Sequence, residues 1–524
     1  MTTKQKRTKE GKTSESIKNL ALESLFSSID MGKTGKITPP QFWKELKSGG
    51  ILEDDPRLSE VRESFIKVLG SSKKGIDLEL FTETIQHSAL VNRGLKGELV
   101  IPDFSSFCEE IVSIFNDVKS NMSGSVANYI PQLARVNPKQ FAVSICTIDG
   151  QRFSYGDVNK NFCLQSTCKP INYCIAHEEL GEEKVHKHIG REPSGRSFNE
   201  MALNNDGLPH NPLINAGAIM CTSLIKNDSP IADRFDKVIK TWTDLSGGVE
   251  PSFNNSVYLS ERQTSDRNFA LAYFMRENNA FPENTDLIET LEFYFQCCSI
   301  EVKSSSMASV AATLANGGVN PLTGKKVFSA GTSKNCLSLM NSCGMYDFSG
   351  EYAFKIGFPA KSGVSGAMLI VIPNVMGICV WSPNLDELGN SVRGVEFSKK
   401  LGERFNFHNY DSLINNNEKL DPRKSKYENR IDNVIGLVYA ASFGDIDEIK
   451  KIEARGIDLN SSDYDGRTAL HLAVSEGQTE VVEYLLLRNV NVQAKDRWGG
   501  TPMEDAKRSN HSNIYTLLEQ HIAK

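Results

Sequence analysis

The stretch Leu164-Gln165-Ser166-Thr167-Cys168-Lys169-Pro170 places a serine hydroxyl three residues before a lysine amine. Side chains at positions i and i+3 of a helix are neighbours, with Cβ atoms about 5–6 Å apart. Serine is a weak nucleophile until an adjacent base activates it, and Lys169 is close enough to act as that base. Because Pro170 is tolerated in a first turn, the stretch predicts a helix that begins at Ser166.

Two flanking features distinguish this stretch from other Ser-x-x-Lys spacings in the chain, which are equally typical of surface helices. Residues 143–148 and 152–155 have strand character, and Asp149-Gly150 between them is typical of a type I′ hairpin turn. Downstream, Lys361-Ser362-Gly363 resembles the Lys-Thr-Gly element that accompanies Ser-x-x-Lys in serine acyltransferases. The apolar residues 367–372 that follow predict a buried strand. Two motifs in this order favour a catalytic Ser166.

The cysteines offer one rival nucleophile and no metal motif. Cys168 would lie about 200° around the helix from Ser166. The chain has 11 cysteines, without a Cys-x-x-Cys pair, which predicts free thiols in a reducing compartment. No zinc motif is present, so we expect a mechanism without a metal or an organic cofactor.

Composition indicates an ordinary globular protein with two to four domains. The 524 residues are 39% hydrophobic and 24% charged, and the net charge of −6 gives no reason to expect a nucleic-acid partner. The longest apolar run, around residues 367–381, is interrupted by Pro373-Asn374 and is too short for a membrane span. We expect it to form a strand, a turn and a second strand.

The N-terminal third predicts a basic tail followed by helices. Residues 1–16 are basic and polar, which excludes a secretory signal, matches a transit peptide poorly and favours a disordered tail. Residues 17–120 predict an all-α module with an EF-hand-like loop at residues 30–37. Because Gly32 and Gln41 stand where calcium ligands are needed, we expect the loop to be structural and the module to be a candidate oligomerisation surface.

The C-terminal part contains a sequence repeat. Residues 466–473 recur 33 residues later as 499–506, with the Thr-x-Leu-His-x-Ala character of ankyrin repeats. Residues 431–524 therefore predict an all-α ankyrin domain, which either binds a protein partner or stabilises its own subunit. Residues 409–430 predict a linker, and residues 121–408 the catalytic domain.

The chain as a whole resembles the animal phosphate-activated glutaminases of the kidney and liver type. That resemblance implies an α/β (α+β) catalytic domain similar to serine β-lactamases, between the helical module and the ankyrin repeats. It rests on these strings: Tyr129-Ile130-Pro131-Gln132-Leu133-Ala134, Phe162-Cys163-Leu164-Gln165-Ser166, His210-Asn211-Pro212, Asn215-Ala216-Gly217-Ala218, Asp266-Arg267-Asn268-Phe269-Ala270 and Cys343-Gly344-Met345-Tyr346-Asp347-Phe348-Ser349-Gly350.

The resemblance also implies a reaction and the residues that carry it. Ser166 would attack the side-chain amide of L-glutamine with Lys169 as its base, and hydrolysis would give L-glutamate and ammonia. The N–H groups of Ser166 and Val364 would form the oxyanion hole, and Tyr346 would relay protons. The residues implied to hold the amino acid, in addition to Ser166, Tyr346 and Val364, are Tyr129, Asn215, Glu261, Asn268 and Tyr294.

The sequence departs from kidney-type members in the loop after residue 190, which the resemblance associates with activation by inorganic phosphate at a tetramer interface. Ala202 replaces a phenylalanine, Ser197 an arginine, Glu200 a lysine and Phe274 a tyrosine. An anion needs positive charge and hydroxyl donors, so we expect weaker phosphate activation than in those relatives.

Two other functions are open from the sequence: a Ser-Lys acyl hydrolase of another amide, and a non-catalytic ankyrin scaffold. The first, as a periplasmic enzyme, would need a signal peptide, and the intact Ser166, Lys169 and Tyr346 argue against the second. Family resemblance implies a dimer-to-tetramer homo-oligomer and a mitochondrial location, with the cytosol as the alternative.

Overall fold

The computed structural model describes residues 22–523, except for 24, 28, 31, 70–74, 196–199, 414–418, 425 and 455–456. The predicted basic tail, residues 1–16, lies outside the described residues, as does Ser197. The chain divides into two compact units, residues 1–423 and residues 424–524, each with its own hydrophobic core. None of the helices in the described part of the chain is both long and apolar enough to cross a membrane.

The N-terminal part of the first unit is a helical module with an aromatic core. The ring of Phe42 meets that of Phe65 edge-on, with centroids 4.8 Å apart. Ile37 and Ile76 form a β-bridge, in which each N–H donates to the other residue's carbonyl at 2.9 and 2.7 Å. The Asp30 carboxylate accepts the N–H of Gly35 at 2.7 Å, so the side chain of Asp30 closes this loop. The helices are α1 Pro39–Ser48, α2 Ser59–Leu69, α3 Leu78–His87 and α4 Ala89–Lys96.

The catalytic segment is built on two antiparallel sheets. Its strands are β1 Ala142–Thr147, β2 Arg152–Gly156, β3 Phe162–Cys163, β4 Ser252–Phe253, β5 Ile300–Val302, β6 Ala360–Ser362, β7 Ala367–Ile372 and β8 Met376–Trp381. The larger sheet has the order β2-β1-β8-β7-β6, and the smaller sheet has the order β3-β5-β4. The strand predicted at residues 367–372, its turn and the strand that follows are confirmed.

The helical module packs against the tip of the β1–β2 hairpin. Gln151, at the tip, is almost fully buried, and its Nε2 donates to the carbonyl oxygens of Gly49 and Ile101, both at 2.9 Å. Its Oε1 accepts the N–H of Ile101 at 3.2 Å. One side chain thus pairs with backbone groups from two separate segments of the module.

The hairpin is confirmed, but the predicted type of turn is wrong. A type I′ turn needs positive φ at both central residues. Of the pair Asp149-Gly150, only Gly150 has a positive φ, at 83°. The carboxylate of Asp149 instead binds the module, because it accepts the N–H of Val100 at 2.6 Å and the guanidinium of Arg93 at 2.8 Å.

Helices surround both faces of the larger sheet. The helices of this part of the unit are α5 Phe104–Lys119, α6 Pro131–Ala134, α7 Lys169–Leu180, α8 Glu182–Val185, α9 Asn215–Leu224, α10 Ile231–Leu245, α11 Asn255–Thr264, α12 Asp266–Glu277, α13 Leu287–Cys298, α14 Ser304–Ala315, α15 Ala330–Cys343, α16 Ser349–Lys355 and α17 Val392–Arg404. Short 3₁₀ turns at residues 56–58, 165–168, 346–348 and 411–413 complete the unit.

Side chains of the central strands alternate between two hydrophobic cores. Leu369 and Val371 belong to the core that includes α14, whereas Met368 and Ile370 belong to the core that includes α5 and α17. Gly377 of β8 lets α14 approach the sheet closely, because a Cβ there would collide with the backbone of the helix. Leu164 and Cys168, on either side of Ser166, belong to the same core as α14, so the serine turn lies on that face of the sheet.

The second unit is a stack of helices around its own apolar core. Two of its helices begin with a threonine capping box, in which Thr468 N–H donates to His471 Nδ1 at 3.2 Å and Thr501 N–H to Glu504 Oε2 at 2.8 Å. The two capping threonines are separated by the 33 residues of the predicted repeat. The helices are α18 Lys426–Phe443, α19 Ile446–Ala454, α20 Ala469–Ser475, α21 Thr479–Leu487, α22 Pro502–Arg508 and α23 Ser512–Ile522.

Candidate active site

Ser166 lies in a tight turn that connects the smaller sheet to α7. Residues Gln165–Cys168 form one turn of 3₁₀-helix, and Gln165 has a φ of 48°, a left-handed conformation that is uncommon for residues with a side chain. The α-helix therefore begins at Lys169 and not, as predicted, at Ser166. Pro170 occupies its first turn, as the sequence predicts.

Lys169 is fully buried at the start of α7. Its Nζ donates to Oδ1 of Asn215 at 2.7 Å and lies 3.4 Å from the carbonyl oxygen of Leu213. Neither of these partners is charged. Burial disfavours the ammonium form and lowers the pKa of Lys169 to about 8. A lysine with this pKa is partly neutral near physiological pH and can accept a proton.

Two asparagines continue the hydrogen bonds of Lys169 into the neighbouring helices. Asn215 is the first residue of α9, and its Nδ2 donates to Oδ1 of Asn268, in the first turn of α12, at 3.2 Å. Because the Asn215 carbonyl is used by Lys169, its amide nitrogen is directed at Asn268. Both predicted asparagines thus belong to one chain of hydrogen bonds that ends at Lys169.

Tyr346 approaches Ser166 from the turn that follows α15. It has a φ of 53°, and its phenol lies beside the Ser166 side chain. Burial raises the pKa of the Tyr346 phenol, and the contact with Ser166 opposes that effect. Nζ of Lys361 lies 4.3 Å from the centre of the tyrosine ring. Tyr346, predicted from the sequence, is therefore next to the serine.

The Lys361-Ser362-Gly363 motif lies along the same turn. Lys361 is on edge strand β6 and is fully buried, and its burial, together with the nearby Lys169, holds its pKa well below the usual range. A Cβ at Gly363 would lie 3.0 Å from the carbonyl oxygen of Leu164, just before Ser166. This close approach brings Val364, the next residue, beside the serine turn.

Glu261 is buried in the last turns of α11 and accepts three side-chain hydrogen bonds. Its Oε1 accepts the hydroxyl of Tyr129 at 2.5 Å and Nε2 of Gln165 at 3.1 Å, and its Oε2 accepts Oγ of Ser265 at 3.3 Å. Burial raises the pKa of the Glu261 carboxyl, and these hydrogen bonds oppose that effect. The residue Tyr129 is 48% exposed, so this cluster borders solvent.

Sequence reasoning did not assign a role to Gln165 or Ser265. Gln165 stands inside the quoted stretch, but its contact with Glu261 joins residues that are far apart in the chain and has no local signature. Ser265 follows Glu261 by four positions, the spacing of neighbours on a helix, and that spacing could have pointed to the contact.

Tyr294 and two thiols complete the buried side of the cluster. Tyr294, on α13, has Cys298 and Glu261 as electrostatic neighbours, and burial raises its pKa well above the usual value. Sγ of Cys168 lies 3.9 Å from Sγ of Cys298 in the interior. The rival nucleophile therefore faces another thiol, whereas Ser166 faces Tyr346.

A cavity of about 430 Å³ has Tyr346 and Leu213 in its wall. The rest of its lining comes from the segments 193–195, 211–214 and 342–350. Among the described residues, no group of three or more His, Cys, Asp or Glu side chains is arranged to hold a metal ion.

Family models match three successive parts of the chain. The glutaminase model matches residues 124–410, more than half of the chain. The EF-hand domain model matches residues 21–102, and the model for three ankyrin repeats matches residues 437–524.

Individual relatives agree with these matches. The chain is 45% identical to the mouse (Mus musculus) protein "Glutaminase liver isoform, mitochondrial" over 95% of this chain and 83% of that protein. It is 42% identical to "Glutaminase" of Nostoc sp. over 58% of this chain and 91% of that protein. A solved structure, "Probable glutaminase ybaS", superposes with a TM-score of 0.55 at 35% identity, over 59% of this chain and 98% of the other.

A Ser-x-x-Lys turn beside a five-stranded antiparallel sheet covered by helices on both faces defines the class of serine β-lactamase-like enzymes. Within that class, the chain belongs to the glutaminase family. It is a glutaminase, which hydrolyses L-glutamine to L-glutamate and ammonia, and it carries an EF-hand domain and ankyrin repeats on either side of the catalytic domain. The predicted family, fold class and reaction are confirmed.

Proposed function

We propose that Ser166 is the nucleophile and Lys169 the general base of glutamine hydrolysis. The observation that carries the proposal is the buried Lys169 amine, which has only uncharged hydrogen-bond partners and a pKa lowered to about 8. Lys169 would remove the proton from Ser166 Oγ while that oxygen attacks the side-chain amide carbon of glutamine. The same proton would then pass to the departing nitrogen, and ammonia would leave an ester on Ser166. Water would hydrolyse the ester to glutamate.

The oxyanion of this reaction needs two N–H donors, for which we propose Ser166 and Val364. Within the described residues, neither N–H is the donor of a turn or loop backbone hydrogen bond. Gly363 supports the assignment, because its close packing on the serine turn holds the Val364 amide near Ser166. Preorganised donors of this kind commonly make a large contribution to acyl transfer. Tyr346, which lies beside Ser166, would relay the proton between the serine and the leaving amine.

We assign the α-ammonium group of the substrate to Glu261. The carboxylate is buried, and no lysine or arginine of the described residues forms an ion pair with it. A charge-assisted hydrogen bond to the ammonium group would compensate for burial of that charge. Amides and phenols suit the substrate carboxylate, and we assign four of them to it. They are Tyr129, Asn215, Asn268 and Tyr294.

Replacement of the proposed residues tests these roles. Glu261→Gln should raise KM for glutamine about tenfold or more, because a hydrogen bond to a charged group is replaced by a neutral one. Acid-quenched enzyme analysed by intact mass should show a glutamyl ester that maps to Ser166. An unchanged KM in Glu261→Gln, or an ester on another residue, would overturn the corresponding assignment.

We also propose that inorganic phosphate activates this enzyme less steeply than kidney-type relatives. Glu200 brings negative charge to the loop after residue 190, and Phe274 on α12 lacks a hydroxyl donor. The experiment is a titration of activity against phosphate at fixed ionic strength, with sedimentation in parallel. Steep activation with conversion of dimers to tetramers would contradict this proposal.

We propose a mitochondrial location, a homo-oligomer that passes from dimer to tetramer, as the family resemblance implies, and a protein partner for the ankyrin repeats. The mouse relative is named as mitochondrial, which supports the location. Fractionation of cells that express the tagged chain tests it, and light scattering of the purified protein tests the assembly. A cytosolic chain or a strictly monomeric protein would contradict the respective proposal.

A further inference from the structure

Ser265 joins the two helices that carry Glu261 and Asn268. Helix α11 ends at Thr264 and α12 begins at Asp266, so this serine is the single residue between them. Its carbonyl oxygen accepts the N–H of Asn268 at 2.8 Å, which closes the first turn of α12. A substitution at Ser265 can therefore alter the positions of both Glu261 and Asn268.

The hydroxyl of Ser265 does not make the N-cap hydrogen bond that is usual for a serine before a helix. A serine that precedes a helix usually accepts a hydrogen bond from a backbone N–H of the first turn. Asn254, at the start of α11, does so by accepting the N–H of Val257 at 3.0 Å. Ser265 makes no such cap bond for α12, and its Oγ donates to Oε2 of Glu261 at 3.3 Å instead.

The two oxygens of Glu261 have different partners. Tyr129 and Gln165 both donate to Oε1, and both come from segments outside α11. Ser265 is the donor to Oε2. With donors on both oxygens, the plane of the carboxylate is fixed, and the remaining lone pairs have a defined direction.

We propose that Ser265 is a positioning residue that fixes Glu261 Oε2 and thereby sets the preference of the enzyme for amides that carry an α-ammonium group. The proposal rests on the assignment of Glu261 to that group. A carboxylate held in one plane gives its best hydrogen bond to an ammonium in one place, and a mobile carboxylate gives a weaker one. Amides without the α-amine gain nothing from this arrangement.

Kinetics of Ser265→Ala and Ser265→Thr test the inference, with Thr264→Ala as the matched control. The Thr264 hydroxyl donates to the carbonyl oxygen of Ser260 at 2.9 Å on the exposed side of α11. We expect Ser265→Ala to raise KM for glutamine about fivefold to tenfold with little change in kcat. The ratio of kcat/KM for L-glutamine to that for 4-carbamoylbutanoate, which lacks the α-amine, should fall by the same factor.

The pH profile gives a second readout that a purely structural role would not move. Loss of the Ser265 donor removes a bond that favours ionised Glu261, so its pKa rises. In kcat/KM this appears as a shift to higher pH of the Glu261 acid limb, which lies on the acid side of the step expected from Lys169. Ser265→Thr keeps the hydroxyl, so its KM and the pH of its Glu261 acid limb should match those of the wild-type enzyme. The Thr264→Ala control should match the wild-type enzyme in both measurements.

The results distinguish the role of Ser265 from the assignment of Glu261 to the substrate ammonium group. If Ser265→Ala leaves KM, substrate preference and the acid limb unchanged while Glu261→Gln raises KM, the role of Ser265 is overturned and the assignment of Glu261 stands. If Glu261→Gln also leaves KM unchanged, the assignment itself fails. A fall in kcat without a change in KM, or a defect that Ser265→Thr does not restore, also overturns the inference.

Discussion

Gln165 and Tyr346, on either side of Ser166, both hold a left-handed backbone, with φ of 48° and 53°. Such conformations cost about 1–3 kcal/mol each and persist where the surrounding structure over-determines them. The side chain of Gln165 is held by Glu261, and the phenol of Tyr346 is enclosed beside Ser166. The surrounding structure therefore sets the backbone on both sides of the serine before substrate binds.

Ser166→Ala should lower kcat by at least about a thousandfold, because a nucleophile and its base act as one unit. Cys168→Ala should keep most of the activity, since the Cys168 thiol faces Cys298. Ammonia release measures both, and circular dichroism checks that each variant folds. Substantial activity in Ser166→Ala together with its loss in Cys168→Ala would show that the cysteine is the nucleophile.

Activity should rise with pH through about 8, the lowered pKa of Lys169. The sign follows from the mechanism, because only the neutral amine can take the serine proton. Below its pKa the lysine is protonated, and above it the base form is complete. The measurement is kcat/KM across overlapping buffers of equal ionic strength. A profile that is flat across this pKa would contradict the role of Lys169.

At the scale of elements, the β1–β2 hairpin is the attachment site of the N-terminal module. Gln151 and Asp149 at its tip bind backbone groups of the module, while the strands themselves belong to the central sheet. The tip therefore couples the module to the sheet core.

Gln151→Ala should destabilise the first unit by about 1–3 kcal/mol, because it leaves buried backbone groups of Gly49 and Ile101 without partners. Gln263→Ala, at an exposed position of α11, is the control and should be nearly neutral. Thermal unfolding monitored by circular dichroism compares the two. Equal melting temperatures for both variants would mean that the tip does not hold the module.

The elements also show which features can be predicted from sequence. The strand at residues 367–372 and the Ser166–Lys169 spacing depend on local periodicity, so they could be predicted. The turn type at Asp149 and the start of α7 could not, because tertiary contacts of Asp149 and Gln165 decide the backbone there. The other predicted site residues came from family resemblance, and the contacts of Gln165 became visible only in the folded chain.

At the scale of the whole molecule, the proposed catalytic groups all belong to the first unit. That unit has its own cores, and the second unit has another. The solved ybaS structure matches 59% of this chain with almost its full length, so the glutaminase fold is complete without ankyrin repeats.

Removal of residues 424–524 should leave kcat and KM for glutamine unchanged, because no proposed site residue is lost. The two units should also unfold as separate transitions in calorimetry of the full chain, since each buries its own core. A truncated enzyme with a much lower kcat, or one that melts at a lower temperature than the first unit of the full chain, would instead favour ankyrin repeats that stabilise their own subunit.

The strand order β2-β1-β8-β7-β6 has an evolutionary consequence. The N-terminal module attaches beside β2, and the Lys361 motif lies on β6, at the opposite edge and about 19 Å away at the usual strand spacing. The contacts of the module described above are made at one hairpin turn. Fusion of such a module at that turn would therefore leave the edge with the Lys361 motif unchanged.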